Sequence, residues 1–266
     1  MPVIDVHPHV ISRDEARYPR APLGGKQSDW SQERPVSAEE MIAAMDEAGI
    51  ERSVLVQAST CYGHDNRYVA DSVAAHPQRF SGVFSVDVLA ADAPERIRYW
   101  KGKGLVGLRV FVAGHTTKQD VRLDDPRSFP AWECAISEGL TIAVQARAAG
   151  LPELAAMLER FPRASVALDH MARPDVAHPE ALLALARYTN LYLKLTTHNV
   201  HDLAPAFLEH VVKHFGAKRV AWGSNYPAAK GKLEELLAAA RKALSGLTED
   251  ERDWVFARTA KILYPA

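Results

Sequence analysis

Cysteine is nearly absent: Cys61 and Cys134 are the only two in 266 residues. Far apart and unmatched by a second Cys or His at close spacing, they exclude a disulfide scaffold, a structural zinc knuckle and a paired-thiol redox motif, and predict reduced thiols in a cytoplasmic protein. Charge of either sign is not in excess. With 32 basic against 33 acidic residues the formal net charge is -1, so nothing points to nucleic acid or to an anionic membrane surface as a partner. No apolar run approaches the roughly 20 residues of a membrane span. The first ten residues lack the basic start and apolar core of an export leader, which predicts neither insertion nor secretion. Low-complexity tracts, short-period repeats and linker-like stretches are missing too, so residues 1–266 are expected to form one domain.

What is present is regular. A hydrophobic fraction of 47% supports a large core, and short β-branched or apolar runs recur eight times. They fall at Val3 to Val6, Ser53 to Gln57, Phe80 to Val86, Val106 to Val112, Leu140 to Gln145, Ser165 to Asp169, Leu191 to Leu195 and Arg219 to Trp222. Segments of helical periodicity lie between most of them. Ser37-Ala-Glu-Glu40 reads as a capping box opening the first, and Gly49 is placed to end it. Alternating strands and helices of this number predict an α/β fold, a single-domain (β/α)8 TIM barrel. Ser12 to Pro35 and Gly114 to Ser128 are longer than such connections need. Both follow strands, on the catalytic face of a barrel, and so are expected to act as lids or substrate walls. Thr248 to Ala260 is expected to pack outside the barrel.

Chemistry gathers at three strand ends. On the first, side-chain alternation in Val3-Ile-Asp-Val-His-Pro-His9 puts His7 and His9 on one face, where two imidazoles can share a metal or act as proton carriers. The sixth run ends Asp169-His170-Met-Ala-Arg173-Pro, placing His170 at the barrel mouth and, by the same alternation, turning Asp169 elsewhere. The eighth ends Trp222-Gly-Ser-Asn225-Tyr-Pro. Arg109 closes the fourth run with a guanidinium suited to a carboxylate or a polarised oxygen. Lys194 alternates with Leu193 and Leu195 toward the interior, where an ion pair and a catalytic role fit equally. His198 and His201 follow the seventh run, a loop position that is only suggestive.

His-x-His on the first strand, Asp-His-Met-x-Arg-Pro on the sixth and Gly-Ser-x-Tyr-Pro on the eighth together resemble the amidohydrolase-2 branch of the amidohydrolase superfamily. The likeness is strongest to its lactonases acting on pyrone dicarboxylates, sulfomuconolactones and sugar lactones. Val56-Gln-Ala-Ser59, Asp65-Asn66 and Gly107-Leu-Arg109 extend it along nearly the whole chain. The resemblance implies a hydrolase that opens a lactone or similar cyclic ester, carboxylated or not, by water attack on the carbonyl. It implies His7, His9, His170 and Asn225 as catalytic positions, and Arg109, Gln145, Arg173, Gln57 and His115 as substrate contacts. Some members of the family hold a divalent ion such as zinc and others work without one; if a metal binds here, His7, His9 and His170 are its expected ligands. At the position of Asn225 the family usually has an aspartate that deprotonates the water, work an amide cannot do. Two further readings therefore stay open: a metal-dependent decarboxylase of the same superfamily, and a ligand-binding protein with a disabled site. A small-molecule substrate is expected in each, and a homo-oligomer is compatible with all.

Overall fold

The computed structural model describes residues 2–111 and 122–265. Eight strands run through it: β1 (Ile4–Asp5), β2 (Arg52–Val56), β3 (Phe80–Ser85), β4 (Gly107–Phe111), β5 (Thr141–Gln145), β6 (Ser165–Leu168), β7 (Leu191–Thr196) and β8 (Val220–Gly223). They pair in parallel in chain order, each with the next. The two ends of the sheet then meet: the Val6 N–H donates to the Trp222 carbonyl at 3.2 Å, and the Asp5 carboxylate accepts the Ser224 N–H at 2.8 Å. The ring is tight there, since a Cβ on Gly223 would stand 2.6 Å from that of His7. The fold is the expected (β/α)8 barrel.

Helices occupy the intervals that the periodicity marked, including Ala38–Ala48, Phe129–Ser137, Leu151–Arg160 and Leu233–Ala243. The Ser37–Glu40 capping box forms in both directions, and Gly49 ends its helix at a φ of 68°. Apolar side chains between the helices and the outside of the sheet, such as Leu108, Trp132, Ile142, Leu195 and Trp222, make the main core. A second cluster takes small residues from the strands, among them Val54, Val83, Ala143, Ala167 and Ala221, and adds Ala260, Leu263 and Tyr264. Within the expected Thr248 to Ala260 stretch, Val255 and Phe256 pack into the main core outside the sheet, and it is the end of the chain that differs. Its last turn, Thr259–Leu263, and Tyr264 close the amino-terminal end of the barrel, with the Thr141 hydroxyl bonded to the Leu263 carbonyl. Chemistry is left to the opposite, carboxy-terminal face. No helix among the described residues is long and apolar enough to cross a membrane.

Candidate active site

A cavity of about 240 Å³ opens at the carboxy-terminal face, with His9, His170, His198, Asn225, Arg109 and Arg173 among its walls. Gln145, Arg147, Phe111 and Trp30 complete much of the rest. Trp30 comes from the long connection after β1 and stacks on His9 with ring centroids 5.3 Å apart. That connection forms a wall, as its length implied.

The imidazoles are fixed by their second nitrogens. His9 Nδ1 lies 2.7 Å from the Val56 carbonyl, which can only accept, so Nδ1 carries the proton and Nε2 keeps its lone pair. His170 Nδ1 lies 2.8 Å from the Thr196 hydroxyl, which itself donates to Asn199 Oδ1. Nδ1 is again the protonated nitrogen. Burial holds both rings well below the ordinary histidine range, with smaller contributions from His7 and Arg109, so both are neutral near pH 7. Neutral rings with a bare Nε2 accept protons; they do not polarise a carbonyl. That function falls to Arg109, whose buried guanidinium keeps N–H groups beyond those given to Asp169 and to the Gln57 carbonyl.

The backbone that delivers His170 is unusual. His170, Met171, Ala172 and Arg173 take φ values of 56°, 50°, 57° and 49°, four successive non-glycine residues in the left-handed region. Each costs about 1–2 kcal/mol. The side chain of Asn199 holds the turn by donating to the His170 carbonyl at 2.8 Å. Its effect is to put His170 and Arg173 on one wall and to break strand alternation at His170.

Asp169 faces inward, continuing the alternation that puts Ala167 in the barrel interior and Leu168 outside; the expectation that it turns elsewhere counted its parity from His170, which lies past the strand. It sits 3.1 Å from Lys194, 3.1 Å from Arg109 and 3.5 Å from His7. Against complete burial, which works the other way, Lys194, Arg109 and the neighbouring His7 ring hold its carboxyl well below the usual range. Lys194 is thus the buried ion-pair partner, its ammonium kept above its ordinary value by Asp169 even though burial alone works in the opposite direction. His7 belongs to this charge cluster and not to the cavity wall. Its Nε2 is 3.5 Å from Arg109 Nη2 and its Nδ1 faces Asp169, while burial lowers its pKa to about 4. Its Nδ1 has no hydrogen-bond partner among the described residues, but its Nε2 meets the Arg109 guanidinium, and a dication shared by His7, His9 and His170 would stand beside two fixed cations, Arg109 and Lys194. That triad does not fit a metal, and no cluster of three or more His, Cys, Asp or Glu among the described residues is placed to hold one.

The remaining expected contacts divide. Gln145 and Arg173 line the cavity. Gln57 is turned away, its amide bracing the Gly63 and Asp65 carbonyls at 3.1 and 2.9 Å. His115 lies outside the described residues. Wall residues not singled out from the sequence include Trp30, from a connection read only as a lid or wall, Phe111 at the end of β4, and Arg147, two residues past β5. The position of Arg147 just beyond a strand end was the available signal.

The sequence profile described as amidohydrolase matches residues 4–266. The chain is 30% identical over 248 residues to an L-fucono-1,5-lactonase of Burkholderia ambifaria, covering 85% of this chain and 81% of that one. Among solved structures it is similar to a probable 2-pyrone-4,6-dicarboxylic acid hydrolase of Acinetobacter baumannii with citric acid bound, at a TM-score of 0.77 and 20% identity over 99% of both chains. A zinc-bound amidohydrolase of Burkholderia multivorans aligns at 0.80 and 21% identity, also over 99% of both. At those identities the structures share the fold.

Proposed function

The chain belongs to the amidohydrolase family, and we propose that it is an enzyme that opens a lactone carrying a negative charge, by adding water across the ring ester. The observation that carries this reading is the charge of the cavity. Arg109 is balanced by Asp169, but Arg147 and Arg173 also line the walls, and among the described residues neither makes an ion pair. Arg173 is held below its ordinary value by partial burial and by Arg147 beside it. Two like charges sharing a cavity wall are relieved by an anion, and a lactone bearing a carboxylate supplies one. This parts the chain from a preference for neutral sugar lactones.

The reaction assigns each residue a task. The ring carbonyl lies against the Arg109 guanidinium, which stabilises the oxyanion as it forms. Its substrate carboxylate meets Arg147 and Arg173, and Trp30 with Phe111 flank the ring. His170 accepts one O–H of the attacking water at its free Nε2 and carries a proton toward the leaving alkoxide, with His9 beside Asn225 on the same wall.

The test is turnover of matched pairs of five- and six-membered lactones, one member neutral and one carboxylated, with ring-opened product followed by NMR. A preference of at least tenfold in kcat/KM for the anionic member is expected, falling toward unity in Arg147→Gln/Arg173→Gln. Equal turnover of the pair overturns the charge preference. Evolved carbon dioxide in place of ring opening identifies a decarboxylase, and saturable binding without turnover a disabled site. Zinc analysis of the same sample, with and without chelator, decides whether activity follows metal content.

A further inference from the structure

Asn225 leaves the site without the carboxylate expected at the end of β8, yet the side chain beside it is a base. Asn225 is itself suited to its place, because its φ of 57° is one that Asn and Asp tolerate better than other non-glycine residues. An aspartate would fit the same backbone. Its amide Nδ2 stands 2.8 Å from His198 Nε2. His198 enters from the short helix Thr197–Asp202 after β7, lines the same cavity, and meets His170 edge-on with ring centroids 5.4 Å apart.

We propose that His198 is the catalytic base of this enzyme, taking the proton of the attacking water that a carboxylate at position 225 would otherwise take. The inference rests on the lactonase reading above. An amide N–H donated to Nε2 leaves that nitrogen an acceptor and puts the ring proton on Nδ1. When one water enters between the two side chains, Asn225 Nδ2–H donates to its oxygen and its own O–H points at His198 Nε2. The O–H bond then breaks toward Nε2 as the oxygen bonds to the lactone carbonyl carbon, and the carbonyl electron pair moves to the oxygen held by Arg109. Collapse of the tetrahedral intermediate breaks the ring C–O bond, and the imidazolium proton returns, through His170, to the leaving alkoxide. The products are a hydroxyl and a carboxylic acid that ionises into solvent, so water is consumed and no other reactant is required.

The surroundings suit the task. Burial lowers His198 to about 4, helped by Arg173, His201 and Arg147 and opposed only by Asp202. It therefore rests neutral with its lone pair available, at a basicity close to that of the aspartate it replaces. The ring is backed by a helix start that is tied down: the Thr196 N–H donates to Asn199 Oδ1 at 2.9 Å, and Asn199 in turn holds the His170 carbonyl. Base, water site and relay histidine share one rigid support.

Four proteins test it: the parent, His198→Gln, Asn225→Asp, and the double variant, each assayed on the lactone panel and checked for folding by thermal melt. The expected result is a loss of at least 100-fold in kcat for His198→Gln with KM changed less than threefold, and recovery in the double variant to within tenfold of Asn225→Asp. Parent-like turnover by His198→Gln overturns the proposal, as does a loss that Asn225→Asp fails to restore. Activity confined to the Asn225→Asp proteins also overturns it, while leaving the lactonase reading intact. If none of the four opens any lactone, the lactonase reading fails and His198 is judged by its imidazole 15N shifts. An unprotonated Nε2 in the parent that becomes protonated in Asn225→Asp keeps it as the proton acceptor of the cavity. A protonated Nε2 in the parent, the pattern of a turned amide, overturns it.

Discussion

Two histidines that look alike in the sequence do different work in the structure, and the difference is measurable. His170 reaches the cavity, and only its Nδ1 is tied, to Thr196; removing the ring by His170→Ala forfeits one hydrogen bond, about 1 kcal/mol, but the relay of protons as well. A fall in kcat of about 100-fold or more with a melting temperature within a few degrees of the parent is expected; unchanged kinetics would remove His170 from the chemistry. His7, by contrast, serves the buried charges beneath. The key member there is Lys194, because it and Arg109 are the two permanent cations on Asp169. Lys194→Met leaves that carboxylate under-compensated in a fully buried place, and breaking such a pair costs about 3–5 kcal/mol. Denaturant unfolding checks it, and a cost below about 1 kcal/mol would show that Arg109 alone suffices.

The connection after β1 is an element whose placement depends on one glycine. It is strapped to the segment after β2 by Ala21 N–H to the Cys61 carbonyl and Ser28 N–H to the Thr60 carbonyl, and by Arg20 to the Tyr62 hydroxyl. Gly63 makes this contact possible: its φ is 57° and a Cβ there would meet the Ala21 carbonyl oxygen at 2.4 Å. Gly63→Ala should therefore cost about 1–3 kcal/mol and shift Trp30 from His9, raising KM more than it lowers kcat. An unaltered KM would separate the strap from substrate binding. The strap shows where reading the sequence stops. Strands and helices were legible because β-branched runs, caps and 3.6-residue periodicity are local properties, and His9, His170, Arg109 and Asn225 followed from standing at strand ends. Asp169 was misplaced because its parity was counted from His170, and how His170 also reaches the cavity was not legible: alternation holds only while a strand lasts, β6 ends at Leu168, and four non-glycine residues then adopt left-handed angles that no residue type announces. Arg147 was not singled out and His198 was marked only by its loop position after the seventh run, since their roles arise from contacts between separate loops, as does the seat of Tyr264 under the barrel.

Across the whole molecule, building a site from neutral buried histidines beside a buried acid makes stability depend on pH in two opposing ways. Asp5, fully buried where β1 meets β8, is raised by burial to about 6. The folded state therefore holds its proton more tightly than the unfolded chain does, and this contribution, full below the unfolded value, is lost as pH rises through 6. Its size is about 3 kcal/mol at 1.36 kcal/mol per unit. His7 works in reverse. Lowered to about 4, it costs stability as pH falls from its unfolded value of 6.5 toward 4, again by about 3 kcal/mol. His9 and His170 act in the same direction, so the histidines outweigh Asp5 and the protein should lose stability on acidification below pH 6.5. Asp5→Asn isolates the opposing part, since an amide oxygen can still accept the His7 and Ser224 N–H groups that bond Asp5 at 3.0 and 2.8 Å. The variant should melt several degrees above the parent at pH 7.5, reflecting about 1–3 kcal/mol, and the gap should shrink steadily toward pH 4 as the parent carboxyl regains its proton. A gap that stays constant from pH 4 to 8 would mean that Asp5 does not change protonation on folding, and that the junction of β1 and β8 tolerates a buried charge.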